Sequence, residues 1–191
     1  MRLERSLWCV VICCVFSSMA WTQEDAVPKS IAESVGRTLK WTEDQFTSVA
    51  EAMPEAKYNF VPNSGNFEGV RSFAEQVKHV ACANYAFFNE IESKAPPEAC
   101  ERGGPSPARS KAELLKYLRD SFDYGNGVLE KIDAKNALER TEGRYGGPNT
   151  KLGLAVTAVW HITDHYGQLV VYLRLNDIVP PTTQKYGLKV R

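Results

Sequence analysis

The chain has 191 residues, with 23 Lys and Arg against 23 Asp and Glu, and 43% of its residues are hydrophobic. A formal net charge of zero gives no electrostatic basis for binding nucleic acid, and the ordinary hydrophobic content excludes a disordered chain. The length is that of one domain with a substantial hydrophobic core.

Residues 1–20 have the order of a secretory signal peptide. Two arginines precede an apolar run, residues 7–16, and small residues follow it as far as Ala20. The apolar run is too short to span a bilayer comfortably, so we expect cleavage after Ala20, or as late as Gln23, and no retained anchor. The pattern predicts export to the periplasm or the medium, with no membrane attachment of the mature chain.

Four segments place apolar residues at the three- and four-residue steps of an amphipathic helix. They extend from about Ser30 to Met53, Phe67 to Ser93, Ser110 to Ile132, and Thr150 to Asn176. No segment shows the alternation of a strand, and the connections are rich in Gly and Pro. The sequence therefore predicts an all-α fold, a four-helix bundle over residues 28–182, with a C-terminal tail over residues 183–191.

The connection from Lys94 to Arg109 is long enough to influence the topology of the bundle. Its sixteen residues can span about 50 Å when extended, more than the ~36 Å length of a 24-residue helix. The third helix therefore need not run antiparallel to the second.

Two of the three histidines, His161 and His165, lie four residues apart in the fourth predicted helix. This spacing puts both rings on one face of a helix, and that face is apolar. Burial of an ionisable ring is unfavourable without a partner, and a metal ion is one such partner. A packed or hydrogen-bonded pair is the commoner reading of two such histidines. No Glu follows His161, which argues against the zinc-protease motif.

The third histidine, His79, lies in the second predicted helix. It is roughly opposite Val77 of the main apolar stripe, so periodicity alone does not bury it. Small residues beside it would let another helix approach closely. Cys82, one turn further, is open to three readings, as a fourth metal ligand, a reactive thiol or a small buried residue. Whether Cys82 pairs with Cys100 in an oxidising compartment also stays open.

The residues around the histidines follow the pattern of a known family. The pattern comprises His79, the pair His161 and His165, the run Asp164–Asn176 with Ile178-Val179-Pro180-Pro181 after it, and the segments Met53-Pro54-Glu55 and Phe73-Ala74-Glu75-Gln76. In these features the chain resembles the DinB-like (damage-inducible B) superfamily, and within it a secreted bacterial branch. The resemblance covers residues 28–182.

The resemblance implies a DinB-like bundle with up-down-down-up order, which the long connection permits. It also implies one divalent metal ion, zinc or nickel, held by His79, His161 and His165. Relatives include cytoplasmic thiol-dependent S-transferases and a maleylpyruvate isomerase, so the implied partner is a small-molecule substrate, of which a thiol is one example. A homodimer is left open.

Three functions compete at this point, namely a metal-dependent enzyme, a non-enzymatic metal-binding or stress-related protein, and a plain bundle with core histidines. Three nitrogen ligands would leave a fourth position on zinc for water or a thiol. Weak candidates for catalytic roles are Gln168, to orient a ligand, and Tyr166 or Tyr85, to donate a proton. Asp164 is turned about 100° from His165, which favours a solvated carboxylate. Ordinary imidazole pKa values predict that metal binding weakens below about pH 6.

Overall fold

The computed structural model describes residues 27–97 and 110–187 of the chain. These residues form the helices α1 (Ile31–Ala52), α2 (Phe73–Ile91), α3 (Lys111–Leu129), α4 (Lys151–Arg174) and α5 (Pro181–Lys185), and the strands β1 (Arg140–Gly143) and β2 (Gly147–Thr150). The predicted signal peptide, Cys100 and the last four residues of the tail lie outside the described residues. Within the described ranges, no helix is both long and apolar enough to cross a membrane.

A Ser or Thr side chain caps the N-terminus of each of the four long helices. Ser30 accepts a hydrogen bond from the N–H of the third helical residue of α1, and Ser72, Ser110 and Thr150 do the same for α2, α3 and α4. Each bond satisfies one of the backbone donors that a helix N-terminus leaves unpaired. The starts predicted near Ser30, Ser110 and Thr150 therefore agree with the structure.

Helix α2 begins six residues later than predicted. Phe67 and Val70 fit the apolar periodicity, but Gly69 between them has a φ of +75°, which is not helical. The capping box at Ser72 instead sets the start, because Glu75 Oε2 accepts from the Ser72 N–H at 2.7 Å while Ser72 Oγ accepts from the Glu75 N–H at 3.3 Å.

Contacts near the helix ends show that α2 and α3 both run antiparallel to α1. Lys111, at the start of α3, donates to the carbonyl of Met53 at the end of α1, at 2.7 Å. Tyr58 connects the same end of α1 to the start of α2, because its hydroxyl donates to the carbonyl of Ala50 at 2.7 Å and its own carbonyl accepts from the N–H of Ala74 at 2.8 Å. Helices α2 and α3 are therefore parallel to each other, as the long connection permits.

Helix α4 completes the bundle antiparallel to α2. Tyr172, near the end of α4, donates to the carbonyl of Arg71, just before α2, at 2.8 Å. Helix α1 packs against α3 and α4, and α2 packs against the same two helices. The order is up-down-down-up, and the predicted all-α four-helix bundle is confirmed.

The core lies between these four helices and is built from aromatic and branched aliphatic side chains. Its largest fully buried members are Phe46, Phe73, Phe88, Phe122, Leu39, Met53, Leu118, Leu154, Ile162, Leu169, Leu173 and Val49. Each such side chain contributes about 1.5–3 kcal/mol when it is removed from water. The two faces of α2 that meet α3 and α4 are therefore held in fixed positions by packing.

Two glycines of α3 provide a matched test of this packing. A Cβ added at Gly125 would lie 2.4 Å from the ring of the fully buried Phe88, whereas one added at Gly127 would have nothing within 4 Å. We expect Gly125→Ala to lower the free energy of unfolding by about 1–3 kcal/mol through overpacking. We expect Gly127→Ala to raise it by about 0.5–1 kcal/mol, because alanine is the better helix former. Urea unfolding of both variants would check the opposite signs, and equal effects would contradict the packing at Phe88.

The connection between α3 and α4 contains a β-hairpin, although no strand was predicted. Strands β1 and β2 pair antiparallel, with Arg140 opposite Thr150 and Gly143 opposite Gly147. The carboxylate of Glu90 in α2 holds the turn, because it accepts from the N–H groups of Tyr145 at 3.0 Å and Gly146 at 3.2 Å. Short Gly- and Pro-rich strands that are anchored by a distant side chain carry no alternation for the sequence to reveal.

The predicted tail also contains structure. Pro181 occupies the first turn of α5, a position at which its fixed φ and missing N–H are tolerated. The hydroxyl groups of Tyr166 in α4 and Thr182 in α5 lie 2.7 Å apart and share a hydrogen bond. Pro180 and Pro181 therefore stand at the start of a further short helix after α4.

Candidate metal centre

The packing of α2 explains how His79 reaches the interior. Thirteen of the nineteen residues of α2 are buried, because α3 and α4 cover different faces of the helix. His79 lies on the face that meets α4, and it is half-buried there. A helix that contacts two neighbours buries more than its main apolar stripe, so the helical wheel of α2 alone was a poor guide to His79.

The three imidazoles meet between α2 and α4. Nε2 of His79 lies 3.1 Å from Nε2 of His161. The ring centroids are 5.0 Å apart for His79 and His161, 4.7 Å for His79 and His165, and 4.5 Å for His161 and His165. One ligand atom from each residue lies within 4.8 Å of the other two. Two nitrogens bound tetrahedrally to one zinc at 2.0–2.1 Å would be separated by about 3.3 Å, so the His79–His161 distance fits a shared ion.

Burial keeps the three rings neutral. It lowers the pKa of His79 to about 3, with further lowering by the positive charge of Arg71 and by the other two rings. Burial likewise lowers the pKa of His161 to about 4, and it lowers the pKa of His165, although the negative charge of Asp164 acts in the opposite direction on both. A neutral imidazole is the form that binds a metal ion, so the rings are ready for coordination at neutral pH.

Packing, more than hydrogen bonding, orients the rings. Phe87 makes an edge-to-face contact with His161, with the centroids 5.5 Å apart. The Nδ1 atoms of His161 and His165 are buried, and neither has a hydrogen-bond partner among the residues that the structure describes. Three neutral imidazoles with one ligand atom each within 4.8 Å of the others are a donor set that suits zinc, nickel or copper. The residues present therefore fit a divalent metal ion.

The lowered pKa values change the expected pH dependence of metal binding. Three rings with ordinary pKa values would lose about four orders of magnitude in zinc affinity between pH 7 and pH 5, because protons compete at each nitrogen. With the pKa of His79 at about 3 and that of His161 at about 4, protons compete mainly below pH 5. We therefore expect the zinc affinity at pH 5 to stay within about tenfold of that at pH 7.

Calorimetric titration with zinc at pH 7, 6, 5 and 4 would measure this dependence. A decline that begins at pH 6.5 and steepens to pH 5 would show that the rings titrate as solvated imidazoles, against the burial described here.

Gln168, a candidate from the sequence, lies one turn beyond His165 and belongs to a hydrogen-bonded chain. Its Oε1 accepts from Gln76 Nε2 at 2.8 Å, and its Nε2 donates to Asp164 Oδ2 at 3.0 Å. Asp164 is exposed, as expected from its position on the helix. Gln168 therefore lies beside the histidines, at the contact between α2 and α4.

The two candidate tyrosines lie elsewhere. The ring of Tyr85 packs between Tyr117 and Tyr124 of α3, with centroids 5.3 and 5.5 Å away, so it faces away from α4. The hydroxyl group of Tyr166 is engaged with Thr182. Neither tyrosine has a described contact with the imidazoles, so the structure gives neither of them a position from which to donate a proton at this site.

Cys82 is buried and is disulfide-bonded, and the other four cysteines of the chain lie outside the described residues. Its sulfur lies 3.8 Å from the hydroxyl oxygen of Tyr117 in α3. A disulfide sulfur facing α3 is neither a free thiol nor a ligand beside His79. The reading of Cys82 as a reactive thiol or a fourth metal ligand is therefore wrong, and the reading as a buried residue is closer to the structure.

Two residues that lie near the histidines had been given no role from the sequence. Gln76 is buried and precedes His79 by one turn. The positive charge of Arg71 lowers the pKa of all three imidazoles. The spacing of three residues between Gln76 and His79 was available as a signal. The proximity of Arg71 was not, because it depends on the turn that precedes α2.

Comparison with solved structures supports the fold. A conserved protein from Enterococcus faecalis has a TM-score of 0.63 at 18% identity, over 78% of this chain and 98% of its own. A DinB-like protein from Bacillus subtilis has a TM-score of 0.59 at 20% identity, over 75% and 92%. A DinB-like protein from Bacillus cereus has a TM-score of 0.63 at 14% identity, over 81% and 98%. At these identities the likeness shows the fold alone.

Comparison with curated protein sequences finds no match. The sequence profile of the DinB superfamily, however, matches residues 38–169, which is more than half of the chain and includes all three histidines. The chain therefore belongs to the DinB superfamily.

Proposed function

We propose that the mature protein is an exported metalloprotein that binds one zinc or nickel ion through His79, His161 and His165. The observation that carries the proposal is the convergence of three imidazoles, one buried and two half-buried, from two antiparallel helices, with two Nε2 atoms 3.1 Å apart. Packing alone does not require histidines at these positions. Hydrophobic side chains of similar size would fill the space without the cost of removing polar ring nitrogens from water.

We further propose that the protein is an enzyme acting on a small molecule. When bound, the metal ion would supply a Lewis acid that activates a water molecule or a thiol or polarises the substrate. The chain itself supplies the three nitrogens, the apolar contact of Phe87 that fixes one ring, and burial that excludes protons from the ligands. The positive charge of Arg71 near the rings favours a substrate with negative charge.

A second candidate function is metal binding without catalysis, in sequestration or a stress response. Metal-binding imidazoles usually donate their second N–H to a carboxylate or carbonyl, which orients the ring and tunes the metal. Nδ1 of His161 and Nδ1 of His165 have no such partner among the described residues, so this tuning is missing there, as a role in binding alone would allow. Turnover of a thiol plus an electrophile, or of ester and amide substrates, by the metal-loaded protein would separate the two functions.

Export is proposed on two grounds. Residues 1–20 have the charged, apolar and small-residue order of a signal peptide. A disulfide at Cys82 also supports export, since disulfides persist in oxidising compartments, and Cys100 is the proposed partner. N-terminal sequencing of protein from the native host should find a start close after Ala20. An intact Met1 in a cytoplasmic fraction would contradict export and the assignment to a secreted branch of the family.

Calorimetric titration of purified mature protein with zinc and with nickel tests the metal site. We expect a stoichiometry of one ion per chain at neutral pH, because three neutral imidazoles are a competent ligand set for either metal. A chain that takes up neither ion would be a plain bundle with core histidines.

A further inference from the structure

Gln76 is a buried amide with one unused oxygen. Its side chain is only 3% exposed, and its Nε2 donates to Gln168 Oε1 at 2.8 Å. Its Oε1 is buried and accepts no hydrogen bond from any residue that the structure describes. A buried acceptor of this kind destabilises a protein by about 1–3 kcal/mol, so its presence calls for a donor.

The orientation of the Gln76 amide follows from the groups beside it. Asp164 Oδ2 accepts from Gln168 Nε2 at 3.0 Å, and an ionised carboxylate can only accept hydrogen bonds. Gln168 must therefore turn its Nε2 to Asp164 and its Oε1 to Gln76. Gln76 must in turn present its Nε2 to Gln168, so its Oε1 is the atom left over. Exchanging the two ends of either amide would place two acceptors or two donors face to face.

Gln76 and Gln168 are neighbours of the imidazoles on their helices. Gln76 lies three residues before His79 on α2, and Gln168 lies three residues after His165 on α4. Residues at this spacing are neighbours on a helix surface, about 5–6 Å apart at Cβ. Because α2 and α4 run antiparallel, the contact between Gln76 and Gln168 lies next to the contact between His79 and His161 along the two helices.

We propose that Gln76 Oε1 accepts a hydrogen bond from a water molecule held beside the three histidines, so that this site takes water and discriminates against a thiolate. The inference rests on the proposed metal site and refines it. Water carries hydrogens that Oε1 can accept, whereas a thiolate carries none and leaves the oxygen unpaired. The substrate class that follows is one cleaved by water.

A hydrolase needs no second soluble reactant, because water itself adds across the bond that breaks, its hydroxyl going to one fragment and its remaining hydrogen to the other. Gln76 acts in this scheme as a positioning residue, since an amide oxygen holds the water without taking up its proton.

Binding of 2-mercaptoethanol to the cobalt-loaded protein, at concentrations at which mass spectrometry shows the Cys82 disulfide intact, tests the inference, because a thiolate on cobalt gives a charge-transfer absorption that can be titrated. We expect Gln76→Leu to bind 2-mercaptoethanol about tenfold more tightly than the wild type at the same pH, because the variant has no acceptor to leave unpaired. Gln76→Met, which keeps the unbranched shape of glutamine, gives the same test if the leucine variant folds poorly.

The matched control is Gln45→Leu, a half-buried glutamine of α1 that lines a groove with Trp41, away from the imidazoles. It should bind 2-mercaptoethanol as the wild type does, and all variants should keep cobalt affinity within about threefold, because the ligands are untouched. Equal thiol affinities in the wild type and the Gln76 variants, with one cobalt bound, would overturn this inference and leave the metal site standing. A wild type that takes up no cobalt would overturn both.

Discussion

Replacement of His79 by alanine is expected to lower zinc affinity by about 100-fold or more, and as strongly as replacement of His161. The two positions are 82 residues apart in sequence, but the loss of either leaves a two-nitrogen site, and two imidazoles hold zinc far less well than three. Calorimetric titration of His79→Ala, His161→Ala and His165→Ala would measure the three losses.

Trp160→Ala is the control for this series. Trp160 is adjacent to His161 in sequence, but it is 66% exposed and lies on the outer side of α4. Its replacement should leave zinc affinity unchanged. If His79→Ala bound zinc like the wild type while His161→Ala did not, the site would be a local pair on α4 and the contribution of α2 would be wrong.

Zinc is expected to raise the thermal stability of the protein strongly. An ion that binds only the folded state stabilises it by about 4 kcal/mol at a free concentration 1,000 times the Kd. For a domain of this size, each kcal/mol shifts the midpoint by about 2–4 °C, which predicts a shift of about 8–16 °C. Thermal denaturation with zinc and with a chelator would show it.

The same scan on His161→Ala separates site binding from general effects of zinc. This variant should unfold at nearly the same temperature with and without the ion. A shift of equal size in the wild type and in His161→Ala would mean that zinc stabilises the chain at another place.

The long helices could be predicted from the sequence because their determinants are local. Apolar spacing, the hydroxyl caps and Pro54 locate α1 and α4 to within two residues and α3 to within three. The length of the connection between α2 and α3 permits a parallel arrangement of the two helices but does not require it. The parallel arrangement follows from long-range contacts such as those of Lys111 with Met53 and of Tyr58 with Ala50, which no periodicity shows.

The hairpin could not be predicted for a different reason. It depends on Glu90, some fifty residues upstream, whose carboxylate fits only because Gly143 has no side chain, since a Cβ there would lie 1.7 Å from Glu90 Cδ. A long-range contact between a helix and a turn leaves no pattern within either segment. The glycine was visible in the sequence, but its purpose was not.

The candidate site was predictable in part. The spacing of His161 and His165 marked one face of α4, whereas the role of His79 came from family resemblance and agrees with its position opposite that face in the structure. Gln168 lies beside the histidines, whereas Gln76, with which it pairs, had been given no role of its own. Tyr85 and Tyr166 were candidates as proton donors, but their observed partners belong to α3 and α5.

The most direct test of the metal centre is anomalous diffraction from crystals of the zinc-loaded protein at the zinc absorption edge. The account predicts one peak per chain between α2 and α4, with a nitrogen of His79, His161 and His165 each at about 2.0–2.1 Å from it. A peak bound by only two of these residues, a peak at another place, or no peak in crystals grown with excess zinc at neutral pH would contradict it.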